Sequence, residues 1–108
     1  MYEISKSDWK LFRERVPQWQ ERYMERLAKE YIALLSSPGN ASDHFWELDK
    51  RIKEDRKHPG VIIQISKRDV VWDIARFVNY EVINIDELEG FSKDLIETVK
   101  LINSRCRD

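Results

Sequence analysis

One short sequence pattern recurs at the predicted starts of the helices, and this pattern constrains the fold more than any other feature. An apolar residue precedes Ser or Asn, and acidic or apolar residues follow three and four positions later; the four instances begin at Ile4, Ile65, Ile83 and Phe91. The Ser or Asn oxygen can accept a hydrogen bond from a free N–H of the first helical turn, and the acid can bond back to the N–H of the cap. The last instance lacks the acid. The pattern predicts four helix starts.

Apolar residues at steps of three and four extend these starts into helices. The predicted fold is all-α, a single compact bundle of about five helices over residues 1–108. We expect the long first helix, from Ser5 to about Leu35, to be kinked or broken at Pro17, which removes a backbone hydrogen bond. The other predicted helices run from Asn40 or Ser42 to before His58, from Lys67 to about Tyr80, from Ile85 to Glu89, and from Lys93 to about Ser104.

Two expectations concern how these helices pack. The second helix is expected to bury Phe45, Leu48 and Ile52, which share one face. The third helix has a broader apolar face and is expected to be central. Residues 61–65 are β-branched and apolar, and we interpret them as an extended, partly buried connector. A short β pairing of 61–65 with 80–83 is the main alternative, although two short strands make a marginal sheet.

Composition limits the classes of protein that this chain can belong to. Nineteen Lys and Arg balance twenty Asp and Glu, so no global charge favours nucleic acid or an anionic membrane. The lone cysteine, Cys106, has no intramolecular mate, which indicates a reducing compartment, and we expect a cytoplasmic protein. No stretch approaches the roughly 18 apolar residues of a membrane span, and the first residues do not resemble a secretion signal.

The sequence contains no recognisable catalytic or cofactor-binding motif. His44 and His58 lie far apart along the chain, and three scattered glycines cannot form a phosphate loop. The serines mostly occupy positions where caps or turns need them. We therefore expect no metal, no cofactor and no enzymatic activity, an enzyme being the least favoured of three functional classes.

A basic cluster near the end of the second helix supports the alternative function, an accessory protein that binds nucleic acid. Its members are Lys50, Arg51, Lys53, Arg56 and Lys57. The spacing also fits helix-surface ion pairs of Glu47 with Arg51 and of Asp49 with Lys53, so a solvated face is the simpler interpretation. Residues 81–97 carry a net charge of −5, with six acids against Lys93, and the two clusters are expected to attract each other.

The tryptophans give the sharpest indication of function. Trp9 and Trp19 lie in the apolar stripe of the first helix, where core packing explains them. Trp72 points away from the apolar face of the third helix and shares its side with Arg76, and Trp46 is offset from the apolar face of the second. Because protein interfaces favour Trp and Arg at their energetic centres, we predict that Trp72, Arg76 and Trp46 bind a protein partner or a second copy of the chain.

Four blocks of the sequence carry a resemblance to a known family. They are residues 4–9, residues 19–24, Phe45 to Leu48 before Arg51-Ile52-Lys53, and Phe91-Ser92 before Leu95. Together they resemble, over most of the chain, a family of small uncharacterised proteins of Gram-positive bacteria. Similar chains carry the automatic label of multidrug transporter, which this sequence contradicts, because its mean hydropathy is −0.64 and no segment could cross a bilayer. The resemblance implies no activity and no site residue.

Overall fold

The computed structural model describes residues 3–106, and within that range all regular structure is helical. The all-α prediction is confirmed. In the described range there are four α-helices and two 3₁₀ turns instead of about five helices, because the predicted fourth helix is only a 3₁₀ turn. The helices are α1 (Lys6–Ser36), α2 (Ala41–Asp55), α3 (Val70–Asn79) and α4 (Lys93–Cys106), and the turns are Lys67–Asp69 and Ile85–Leu88. The Cys106 side chain, on which the expectation of a reducing compartment rests, lies outside the described part.

Helix α1 passes through Pro17 without interruption. The predicted break is therefore wrong, while a bend at this position stays a prediction. Pro17 itself is exposed, and its neighbours Val16 and Trp19 are buried on the opposite side of the helix. Burial of the residues before and after the proline along the chain stabilises the helix by more than the loss of one backbone hydrogen bond destabilises it.

Three of the four predicted caps form. Ser5 accepts from the N–H of Asp8 at 3.1 Å, Asn84 and Glu87 form a reciprocal capping box, and Ser92 accepts from the N–H of Leu95 at 3.3 Å. At the fourth position the Ser66 hydroxyl donates to the Asp69 carboxylate, so the chain makes a 3₁₀ turn before α3 begins.

Asp8 joins the beginning of α1 to the beginning of α4. Its carboxylate is buried and accepts hydrogen bonds from the backbone N–H of Ser92, at 2.9 Å, and from the Ser92 hydroxyl. The sequence suggested that this acid caps its own helix. In the structure it lies on the buried side of α1 and accepts from one free N–H, that of Ser92, at the start of a different helix.

The core lies between the first two thirds of α1 and the helices α3 and α4. Trp19 is its centre, with ring centroids 5.6 Å from Phe77, 6.3 Å from Phe91 and 6.4 Å from Phe12. Helix α3 is the most buried element, as its broad apolar face predicts: six of its ten residues are buried. Trp9 is half-buried at the edge of this cluster and stacks near Phe12.

Residues 61–65 form no strand, and residues 3–106 contain none elsewhere. The alternative, a pairing of 61–65 with 80–83, is wrong because the backbone of residues 80–83 closes the end of α3. The N–H groups of Val82 and Ile83 both donate to the carbonyl of Phe77, at 2.9 and 3.3 Å. The connector itself agrees with the preferred interpretation, since Val61, Ile63 and Ile65 are half-buried while the residues between them are exposed.

The molecule is more elongated than the predicted compact bundle. Its radius of gyration is 16.6 Å and its extents are 52 × 31 × 22 Å, whereas a compact domain of this length has a radius of about 13 Å. The long axis follows α1, whose last buried residue is Leu27. Beyond that residue α1 packs against α2. We call this projecting helical hairpin, residues 24–56, the arm.

The predicted burial of α2 is wrong. None of its fifteen residues, all within the described part of the chain, is fully buried. Phe45 is 61 % exposed and Ile52 38 % exposed, and Leu48 is only half-buried. The physical reason is that α2 packs mainly on one helix, and a single neighbour cannot cover an apolar stripe of this width.

Candidate interaction surface

Polar contacts hold the two helices of the arm together along its length. At the tip, His44 Nε2 lies 3.2 Å from the Ser37 hydroxyl. In the middle, Arg51 donates to the Glu30 carboxylate at 2.8 Å. At the base, the Tyr31 hydroxyl donates to Asp55. The arm is therefore a defined surface and not two independent helices.

Tyr31 and Asp55 close the base of the arm through a partly buried contact. Burial, followed by the hydrogen bond to Asp55, raises the pKa of Tyr31 to about 12. The Arg51 guanidinium lies 5.5 Å from the centre of the Tyr31 ring and 3.8 Å from the Asp55 carboxylate. The phenol stays protonated at physiological pH and serves as the donor in this contact.

Each helix of the arm presents one stripe beside its contact with the other helix, and the stripe residues are exposed except for Tyr31, which contacts Asp55 and Arg51 of α2, and Asp49, which is half-buried. The residues of a stripe follow one another at steps of four, three and four, which keeps them within about 60° around the helix. The α1 stripe consists of Met24, Ala28, Tyr31 and Leu35, and the α2 stripe of Phe45, Asp49, Ile52 and Arg56. A groove between the helices brings members of both stripes to the same side of the arm.

This groove is an apolar cavity of about 290 Å³ at the base of the arm. Its walls come from α1, from α2 and from the start of the connector; they are Met24, Leu27, Ala28, Tyr31, Ile52, Asp55, Arg56 and Val61. Such a depression, mostly apolar and bordered by Arg56 and Asp55, is the form that a pocket for a hydrophobic side chain takes in protein interfaces.

The arm carries most of the large apolar side chains that the described residues expose. Six large apolar side chains are involved, with exposed fractions of 46 % for Met24, 63 % for Ile32, 50 % for Leu35, 61 % for Phe45, 65 % for Trp46 and 38 % for Ile52. At about 200 Å² for one fully exposed side chain, these fractions correspond to roughly 650 Å². Patches larger than a few hundred Å² mark interaction sites.

Trp46 belongs to this surface. Its indole makes an edge-to-face contact with Phe45, with ring centroids 4.9 Å apart. By helical rotation it lies about 100° from Phe45, so it flanks the α2 stripe. This offset predicts that Trp46 binds a partner, whereas the apolar spacing of α2 predicts that Phe45 is buried in the core. The apolar spacing that identified the stripe is equally typical of a buried face and of an uncovered one.

Trp72 and Arg76 lie on a different surface, on α3. Trp72 is 59 % exposed, and Arg76 lies 4.0 Å from the Asp73 carboxylate. Arg76 lies one helical turn before Tyr80, whose ring is 5.2 Å from that of His58 at the base of the arm, whereas Trp46 lies about 14 Å further out along α2. The structure thus keeps Trp72 and Arg76 on one helix and places Trp46 on another part of the molecule.

The Asp73 carboxylate, beside these two residues, is buried although one of its two oxygens lacks a hydrogen-bond partner among the described residues. This oxygen is Oδ2, and the side chain is 9 % exposed. Burial, with a smaller contribution from Asp69, raises the pKa of Asp73 to about 6, against the opposing effect of Arg76. The sequence contains a signal for this burial, because Asp73 lies three residues after Val70 and four before Phe77, on the apolar face of α3.

His58 lies where the arm joins the body. Its ring stacks on Tyr23 at 4.5 Å, and its Nδ1 accepts from the N–H of Gly60 at 3.0 Å. Burial lowers the pKa of His58, with Arg26 and Arg76 acting in the same direction against Asp55. The neutral imidazole is thus a structural acceptor at this junction.

The predicted basic cluster is partly neutralised within the arm. Lys53 pairs with Asp49 at 2.9 Å, as predicted, whereas Arg51 pairs with Glu30 and Asp55 and not with Glu47. Among the described residues Lys50, Arg56 and Lys57 have no acidic partner within 4.0 Å. Nucleic-acid binding stays a prediction, with fewer free cations than the sequence suggested.

The acidic segment meets cations of α1. Arg22 pairs with Glu87 and donates to the carbonyl of Val82 at 3.3 Å, and Arg15 and Arg26 each donate to carbonyls of the same segment at 3.0 Å. Attraction between this segment and the basic cluster of α2 stays a prediction. The contacts explain how residues 81–87, which are largely irregular, are fixed to α1.

The described residues contain no group of three or more His, Cys, Asp or Glu side chains placed to hold a metal ion. In the same part of the chain, no helix has the length and apolar content that crossing a bilayer requires. Comparison with models of protein families, with curated proteins and with solved structures gives no match. The resemblance to small Gram-positive proteins stays a prediction.

Proposed function

We propose that this chain is a non-enzymatic protein-interaction domain and that the apolar side of the arm is its main binding surface. The observation that carries the proposal is that α2, a helix of fifteen residues, contains no fully buried residue. A helix that exposes two large aromatic side chains, Phe45 and Trp46, and that packs mainly on a single neighbour is typical of an interface that a partner completes.

Trp46 and Phe45 are the proposed energetic centre of this surface. Both are more than half exposed and contact each other, and large aromatic side chains dominate binding energies when a partner buries them. Trp72 and Arg76 form a second, smaller candidate patch on α3. Since Arg76 already has an acidic neighbour at 4.0 Å, we rank this patch below the arm.

The proposal is tested by comparing full-length baits that differ at one exposed residue. Trp46→Ala and Trp72→Ala test the two patches, and Leu101→Ala on α4, where the side chain is 52 % exposed, is the matched control. Binding measured by pull-down and by light scattering should fall for Trp46→Ala and persist for the control. Equal binding by all variants, with unchanged melting temperatures, would exclude both patches.

The alternative function has a separate test. Nucleic-acid binding through Lys50, Arg56 and Lys57 should produce a gel mobility shift that weakens steeply as salt is raised, because each phosphate contact releases counterions. If no shift occurs at about 20 mM salt, well below the screening of physiological buffers, this alternative is excluded.

A further inference from the structure

We infer that the partner of the arm is a second copy of this chain, and that two arms pack side by side into a four-helix bundle about a two-fold axis. This inference rests on the proposed function, because it names the occupant of the same surface. Two α-helical hairpins, each with one face that carries exposed apolar residues and a charge of each sign, can supply the halves of such a bundle.

The spacing of the stripe residues allows two copies to pack in an antiparallel register. Steps of four, three and four read the same in both directions, so an antiparallel copy presents the same stripe in register. Phe45 of one copy then faces Arg56 of the other. Asp49 comes within about one helical turn of that arginine, which places opposite charges near each other twice in a symmetric dimer.

The cavity at the base of the arm is the proposed receptor for Phe45. Ile52 and Arg56 of the α2 stripe line its wall, and the antiparallel register brings Phe45 of the second copy to this end of the helix. Phe45 is 61 % exposed in the single chain, and the cavity measures about 290 Å³ with mostly apolar walls. An exposed aromatic ring and an apolar pocket on the same surface make that surface self-complementary.

The exposed area and the charge of the arm agree with a homodimer. Two copies that cover the exposed parts of the apolar stripe residues Met24, Leu35, Phe45 and Ile52 would remove roughly 780 Å² of apolar side chain, and covering the flanking Ile32 and Trp46 as well would raise this to roughly 1,300 Å², within the range of stable interfaces. Residues 24–56 carry six Lys and Arg against seven Asp and Glu, so two arms do not repel each other strongly.

The test measures the mass of the full-length chain by sedimentation equilibrium from 1 to 200 µM. Wild type should form a dimer, and Phe45→Glu should raise the dissociation constant on the order of 1,000-fold, since the change removes an anchor from both copies. Leu101→Glu introduces the same charge at a comparably exposed apolar residue outside the arm and should leave the dimer intact. Far-UV circular dichroism checks that each variant keeps its helices.

A charge exchange tests the antiparallel register itself. Asp49→Arg alone should weaken the dimer about tenfold, because it places two arginines within a turn of each other. Adding Arg56→Asp should restore the dissociation constant to within about threefold of wild type. Met24→Glu, at the cavity wall, gives a second disruption that does not depend on Phe45.

The outcomes separate the inference from the proposed function. A wild type that stays monomeric at 200 µM, or a dimer disrupted by Leu101→Glu and not by Phe45→Glu or Met24→Glu, overturns self-association through the arm. If in that case the Trp46→Ala bait still loses a protein partner that the Leu101→Ala bait retains, the proposed function stands with a different occupant.

Discussion

Replacing Asp73 with Asn should stabilise the protein at pH 8 and lose that effect in acid. The Asp73 side chain is 9 % exposed, and burial raises the pKa of its carboxyl from 3.8 to about 6. The folded state therefore binds the proton more tightly than the unfolded state does. The resulting stability is fully present below about pH 3.8 and is lost as the pH rises through about 6.

The magnitude follows from the two pKa values. The rise from 3.8 to about 6 corresponds to at most about 3 kcal/mol, at 1.36 kcal/mol for each tenfold change in proton affinity. An Asn side chain carries no charge but leaves its own polar atoms poorly paired, which costs about 1 kcal/mol. We therefore expect the Asn variant to be about 1–2 kcal/mol more stable at pH 8.

The assay is urea unfolding of wild type and Asp73→Asn at pH 4.5, 6 and 8, followed by tryptophan fluorescence at one protein concentration. Titration of other groups, including His58, changes both proteins alike, so the difference between them isolates Asp73. The advantage of the variant should shrink or reverse at pH 4.5, where the wild-type carboxyl is protonated. A difference that is constant from pH 4.5 to 8 would refute the reasoning.

Three further substitutions have expected effects on stability, each measured by thermal and urea unfolding. Gly60→Ala should destabilise by about 2–4 kcal/mol, because the added Cβ would lie 2.4 Å from the buried ring of Tyr23; retention of wild-type stability would mean that the ring can move aside. Asp8→Ala should cost about 2–3 kcal/mol, because it leaves the N–H of Ser92 unpaired at a helix start, and an unchanged melting temperature would contradict this. Glu81→Gly should stabilise by about 1 kcal/mol, because this residue ends α3 with a φ of 60°, where glycine has no steric penalty; a loss of stability would show that the glutamate side chain matters more than its backbone.

Local rules predicted most of the secondary structure because its causes are local. Ser5, Asn84 and Ser92 act within one helical turn, so a short phrase suffices to place three helix or turn starts. The prediction of a break at Pro17 was wrong because the cause of continuity there is not local. Burial of Val16 and Trp19 depends on α3 and the loop beyond it, which no local pattern around the proline reports.

The candidate surface could be predicted only in part. Offsets from the apolar stripes singled out Trp46 and Trp72, and both are exposed. The same rule assigned Phe45 and Ile52 to the core, since a helix stripe looks identical whether its second neighbour comes from the same chain or from another. How far α2 lies from α3 depends on the length of α1, and the single-sequence pattern does not encode that distance.

The arginines of α1 hold residues 81–87 largely by main-chain carbonyl oxygens, those of Glu81, Val82 and Glu87. Every amino acid supplies this acceptor, whatever its side chain. Exposed loop residues such as Glu81 can therefore be substituted without removing the acceptor, whereas Val82 and Glu87 have further roles, in the core and in the ion pair with Arg22. A lysine could reach one carbonyl but could not also lie over an aromatic ring as the guanidinium groups of Arg15 and Arg26 do. At these contacts the exposed side chains of the loop are thus less constrained in evolution than the arginines that bind its backbone.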